Sequence, residues 1–147
     1  MIDVGTGAGL DALLACTRER IERIAVGEAF SRLGEGAPLV DIRSTDQRAG
    51  GGVIAGALWI SRNVLEWRLD PGSEWSHPTV DGAVAPVMVI CAEGFQSSLA
   101  VANLGQIGVG AVDIEGGFAA WAAAGLPVEC SLDPPAAGCC ERLRADP

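Results

Sequence analysis

Four short apolar runs punctuate the chain: PLVDI at 38–42, ALWI at 57–60, VMVIC at 87–91 and AVDI at 111–114. Each is too short for a buried helix and nearly continuous in apolar residues. That pattern predicts strands covered on both faces, as in a parallel sheet, rather than strands with one wet side. Helix-length segments lie between them, SSLAVANLGQI at 97–107 and GFAAWAAAG at 117–125. Ahead of the first run, GEAFSRL at 27–33 predicts a short helix. Further upstream, LDALLACTRERIERI sets Leu10, Leu13, Leu14, Ile21 and Ile24 at helical spacing. This predicts one amphipathic helix docked on the domain, with Cys16 in its packed face. Alternating strands and helices predict an α/β fold, a parallel sheet of about five strands with helices on both faces.

The predicted organisation is an N-terminal helical extension (1–23), one domain (24–128) and a C-terminal tail (129–147). The tail, ECSLDPPAAGCCERLRADP, is proline-bearing and loses periodicity, which predicts flexibility. The stretch DPGSEWSHPTVDGAVAP at 70–86 predicts a long loop of the kind that often carries function.

A length of 147 residues, 49% hydrophobic and 20% charged, fits a single globular domain with a real core. The formal net charge of −9 argues against nucleic acid or an anionic membrane surface as a partner. No run approaches the roughly 20 apolar residues of a membrane helix. The opening MIDVGTGAGL lacks a basic region followed by an apolar core, so the expected location is the cytoplasm, where thiols stay reduced. Five cysteines form no even disulfide framework. With one histidine and no C-x-x-C spacing, neither a metal site nor a cofactor is expected. Cys130 and the vicinal Cys139 and Cys140 read as incidental thiols.

The chemistry concentrates at Cys91, in VMVICAEGFQSSLA (87–100). In a parallel sheet the ligand site lies beyond the carboxyl ends of the strands, and Cys91 ends one. The nucleophilic form of cysteine is the thiolate. Residues after Cys91 must turn back to start a helix near Ser97, so their amide N–H groups can converge on the sulfur, aided by the positive end of the helix. Gly94 permits the required backbone, and Ser97 or Ser98 is expected to cap the helix. The plainer reading is a core cysteine that merely ends a strand.

This stretch resembles the active-site loop of single-domain rhodanese-like sulfurtransferases, in which the loop cysteine carries sulfur as a persulfide. The matching residues are Cys91, Ala92, Glu93, Gly94, Phe95 and Gln96, followed by Ser97 and Ser98. LVDIR (39–43), GGVIAGALWI (51–60) and IEGGFAAWAAAGLPV (114–128) resemble further family segments in the same order. The resemblance covers roughly residues 24–128 and implies a rhodanese-like fold with Cys91 as catalytic nucleophile. Val53 and Ala55 stand where the family usually has histidine and proline, and Gln96 where the loop often has arginine. Residues 87–98 hold Glu93 but no lysine or arginine, which sets them against a dianionic donor such as thiosulfate and favours a neutral or protein-borne persulfide.

Cationic help is expected from SRNVLEWRLD (61–70), where Arg62 and Arg68 are candidates to contact an anion. The alternative for Arg68 is a salt bridge on a solvated helix, for example to Asp70 or Glu66. Asp41 and Arg43 are expected to support the structure rather than react. Gly116 and Gly117 are expected to make a tight turn before a helix whose Trp121 is core. His77, the lone histidine, has nothing in the sequence placing it near Cys91.

The expected function is sulfur transfer from a small donor (thiosulfate, or a low-molecular-weight or protein persulfide) to a thiol or protein acceptor. The alternatives are a non-catalytic regulatory module and, less favoured, a phosphatase, whose loop would be one residue longer and end in arginine.

Overall fold

The computed structural model describes residues 9–78 and 85–130. Twelve elements include helices α1 (Gly9–Arg18), α2 (Val26–Gly34), α3 (Thr45–Gly51), α4 (Leu65–Leu69), α5 (Gln96–Gln106) and α6 (Gly117–Ala123). The strands are β1 (Arg23–Ile24), β2 (Leu39–Asp41), β3 (Leu58–Trp59), β4 (Val87–Ile90) and β5 (Ala111–Ile114), and a 3-10 turn at Arg62–Val64 precedes α4. All strands run parallel in one five-stranded sheet of order β1-β5-β4-β2-β3. β4 is thus the central strand, and its carboxyl end is Ile90, immediately before Cys91.

Continuous apolar runs fold this way because successive side chains of a strand face opposite layers. From β4, Val87 and Val89 pack with Leu65, Leu69, Val101 and Leu104, while Met88 and Ile90 pack with Ala29, Phe118 and Trp121. The first layer therefore comes from α4 and α5, with α1 lying against α5, and the second from α2 and α6. Trp121 is fully buried as expected, donates Nε1–H to the Pro127 carbonyl at 3.0 Å and meets Phe30 edge-on at 5.8 Å.

Several expectations are corrected. The N-terminal helix ends at Arg18 instead of running to Ile24. Ile21 lies in the connection that follows, and Ile24 belongs to edge strand β1, hydrogen-bonded beside β5. Along α1 the buried residues are Leu14 and Thr17; Leu10 is exposed and Cys16 only half-buried, so Cys16 is not core. Residue 129 is not tail, because Glu129 and Val53 exchange backbone hydrogen bonds of 2.7 and 2.8 Å in an antiparallel bridge. Residues 79–84 of the expected long loop, and Cys139 and Cys140, lie outside the described residues. No helix among the described residues is long and apolar enough to cross a membrane.

Candidate active site

Cys91 leaves β4 on the same side as Val87 and Val89, so its sulfur turns toward the α5 layer. The Gly94 amide donates to Sγ at 3.1 Å and the Ser97 amide at 3.3 Å, while the Ser97 hydroxyl oxygen lies 3.2 Å away. The expected convergence of amides is present. Cys91 is 5% exposed and sits at the wall of an open cavity of about 550 Å³. Cys91 is therefore nearly buried, at the wall of a space large enough for a small reactant.

Backbone contacts fix the loop. Gly94 has φ +86° and packs so tightly on the next turn that an added Cβ would lie 2.8 Å from the Gly116 amide nitrogen. Gly116 and Gly117 form the expected tight turn, at φ +72° and +59°. A Cβ on Gly117 would meet the Cys91 carbonyl oxygen at 2.5 Å and the Gly94 nitrogen at 2.7 Å, so only glycine fits there. The first amides of α6 complete the attachment: Phe118 donates to the Cys91 carbonyl at 2.8 Å and Ala119 to that of Ala92 at 2.9 Å.

Ser97 and Ser98 do not cap α5. The N-cap position falls at Phe95 without a side-chain bond, and both serines lie buried within the first turn. Their hydroxyls instead donate to Asp113 of β5, Ser97 to Oδ1 at 2.5 Å and Ser98 to Oδ2 at 2.6 Å. Arg23 Nε donates to the same Oδ2 at 2.8 Å. From α1, Arg18 donates Nη2–H to the Gly94 carbonyl at 2.9 Å and Nε–H to Ser98 Oγ at 3.1 Å, with its guanidinium 5.7 Å from the Phe95 ring centre. Arg18, Arg23 and Asp113 were not foreseen. For Asp113 a signal existed, an acid inside the apolar run AVDI.

The cavity over Cys91 is also lined by Arg43, Gln47, Arg62, Glu93, Phe95 and Gln96. Arg62 donates Nη1–H to Glu66 at 2.7 Å, and its Nε is buried with no hydrogen-bond partner among the described residues. Arg68 points away to the Trp75 carbonyl at 2.9 Å and is not part of that lining; its bond is neither of the salt bridges weighed from the sequence. Arg43 is buried and committed elsewhere, donating to Asp41 Oδ2 and the Gly52 carbonyl at 2.7 Å each, with its guanidinium 3.7 Å above the Phe118 ring. Asp41 is 2% exposed and also accepts the Arg43 amide at 3.0 Å. This pair ties the end of β2 to the α6 layer beside the loop. His77 gives its backbone amide to the Arg68 carbonyl and does not line the cavity.

A central parallel strand ending in a cysteine, whose sulfur rests on amides of the loop that follows, defines an α/β domain with a cysteine-loop site. The chain belongs to the rhodanese-like domain family, which matches it over residues 26–124. No curated protein matches it. Among solved structures it is similar to a Rhodopseudomonas palustris protein of unknown function, described as a possible tyrosine phosphatase. The identity is 31% over 84% of this chain and 96% of that one, with a TM-score of 0.76. A rhodanese-related protein from Thermoplasma volcanium is 26% identical over 75% of this chain and 99% of that one, with a TM-score of 0.60. A thiosulfate sulfurtransferase from Pseudomonas aeruginosa is 26% identical over 76% of this chain but only 20% of that one, with a TM-score of 0.59.

Proposed function

We propose that this domain is a sulfurtransferase in which Cys91 accepts sulfane sulfur and passes it to a thiol. The observation that carries the reading is the cradle itself, the Gly94 and Ser97 amides aimed at Sγ beside an open cavity. Fixed N–H donors stabilise an anion on sulfur without reorganising as it forms. The Cys91 thiolate attacks the outer sulfur of the donor. A bond forms between Sγ and that sulfur, the donor's S–S bond breaks, and its electron pair leaves on sulfite or on a thiolate. An acceptor thiolate then attacks the outer sulfur of the persulfide and releases the Cys91 thiolate. The donor is a small sulfane-sulfur compound or protein persulfide, and the acceptor a thiol or a protein. Arg62 supplies the cavity's cation for an anionic donor: its Nη1 is held by Glu66 but its Nε has no partner among the described residues, whereas Arg43 spends Nε and Nη2 on Asp41 and Gly52.

A second reading, phosphatase activity, draws on the Rhodopseudomonas protein's description. Gln96 opposes it, standing where an arginine would clamp phosphate oxygens in two-pronged fashion. Intact-mass measurement after exposure to thiosulfate, to a glutathione persulfide and to a phosphate ester separates the readings, with Cys91→Ser as control. The expected result is a gain of one sulfur atom on the native protein alone. Hydrolysis of the ester without sulfur gain would replace this reading with the second. A folded protein inert to all three would leave a binding module.

A further inference from the structure

Asp113 is a carboxylate with no solvent exposure in a strand whose neighbours Val112 and Ile114 are core. Those neighbours face the α2 and α6 layer, so Asp113 faces the α5 layer, as Cys91 does. The Ser97 hydroxyl lies between the two, 3.2 Å from Sγ and 2.5 Å from Oδ1. An ionised carboxylate only accepts hydrogen bonds, and a serine hydroxyl has one proton to give. With Asp113 ionised, that proton lies toward Oδ1, and the Ser97 oxygen is left to accept the thiol S–H. The three groups form an unbroken path from S–H through the hydroxyl to the carboxylate.

We propose that Cys91 and Asp113 share one proton through Ser97. The inference rests on the reading of Cys91 as nucleophile. In the exchange the S–H bond breaks, its proton moves to Ser97 Oγ, and the hydroxyl's own proton moves to Asp113 Oδ1. The electron pair stays on sulfur and the cluster keeps its charge. Afterwards Ser97 donates to the thiolate and protonated Asp113 donates to Ser97, so every buried group retains a partner. Loss of the proton to water would instead leave two buried anions flanking one hydroxyl, an arrangement disfavoured at low dielectric even with two amides on the sulfur and Arg23 on the carboxylate. Asp113 acts through Ser97 and is a positioning residue.

The surroundings pull this exchange both ways, Arg23 and Ser98 on Oδ2 favouring the carboxylate and the Gly94 and Ser97 amides favouring the thiolate. Arg23 on β1 holds Oδ2, with Glu115 3.9 Å from its other end, and Arg18 on α1 holds Ser98 and the loop carbonyl. Over the sulfur, the cavity presents Glu93, Arg62 and the Asp41-bound Arg43. None of these interposes between Ser97 and its two neighbours.

An internal exchange does not depend on bulk pH, whereas a lone thiol loses about tenfold in thiolate per pH unit below its midpoint. Iodoacetamide alkylation of Cys91, followed on its own peptide by mass spectrometry, should therefore level off between about pH 5 and 7 in the native protein. In Asp113→Asn and in Ser97→Ala the plateau should vanish, leaving alkylation at about pH 5.5 slower by roughly tenfold or more. At about pH 9, where thiols are ionised without help, all three proteins should react within about threefold of each other. If Asp113→Asn does not fold, Ser97→Ala, which leaves the Arg23–Asp113 pair in place, carries the comparison. A native profile that falls steadily, or a plateau that survives both substitutions, overturns the proposal. Alkylation needs no sulfur donor, so a plateau without sulfur loading would sink the sulfurtransferase reading and spare the shared proton.

Discussion

Arg18 and Gly94 are joined across the domain: the guanidinium at the end of α1 donates to the carbonyl of the loop glycine at 2.9 Å. The N-terminal helix is thereby part of the site's framework, because the same glycine gives its amide to the Cys91 sulfur at 3.1 Å. Arg18→Met keeps the aliphatic stem and removes both polar contacts. We expect a loss of about 1–2 kcal/mol in stability, in line with charged hydrogen bonds at a partly exposed position. Amide exchange at Gly94 and Ser97 should quicken with it. Unchanged exchange at those amides would show that α1 packs without stiffening the loop.

Gly117 offers a sharper contrast. Alanine there must hold φ +59° and push a methyl group against the Cys91 carbonyl and the Gly94 nitrogen. Gly117→Ala should cost roughly 2–4 kcal/mol, combining backbone strain with displaced neighbours, and should abolish Cys91 reactivity with sulfur donors. Gly105, inside α5 with open space around it, is the control. Gly105→Ala should stabilise by about 0.5–1 kcal/mol through helix propensity. Chemical denaturation of the two variants reads out the opposite signs.

Arg62 and Arg68 separate by geometry, since the first lines the cavity and the second is bonded to the Trp75 carbonyl. Arg62→Ala should slow loading from thiosulfate by about fivefold to thirtyfold, the effect of one charge-assisted contact of about 1–2 kcal/mol. Loading from a neutral trisulfide should change less. Arg68→Ala should leave both rates within about twofold. Equal rates in Arg62→Ala with every donor would return Arg62 to its Glu66 partner alone.

The parts legible in the sequence were those with strong local signals. β2, β4 and β5 are buried on both faces and read as apolar runs, and the Cys91 loop is announced by a strand, a glycine and a helix start. β1 was hidden because Ile21 and Ile24 sit at a spacing that also suits a helix, and a two-residue strand has no period to detect. α3 buries no residue and so has no apolar stripe. Its mark is the capping box of Ser44 and Gln47, which exchange hydrogen bonds of 3.0 and 3.1 Å. The polar network behind Cys91 was hardest to foresee. Arg18 and Gly94 are 76 positions apart, and no local rule links an arginine on one helix to a carbonyl in a distant loop. Serines at a helix start suggest a cap, and only the packing of α5 on β5 shows that these face a buried acid.

The sulfur's cradle is made largely of main chain, with its loop anchored to the start of α6 through carbonyls and glycines. Glu93, Phe95 and Gln96 project outward from it and are exposed. Those three side chains can be exchanged during descent without moving the nucleophile, so partner choice and reactivity are free to diverge on separate residues.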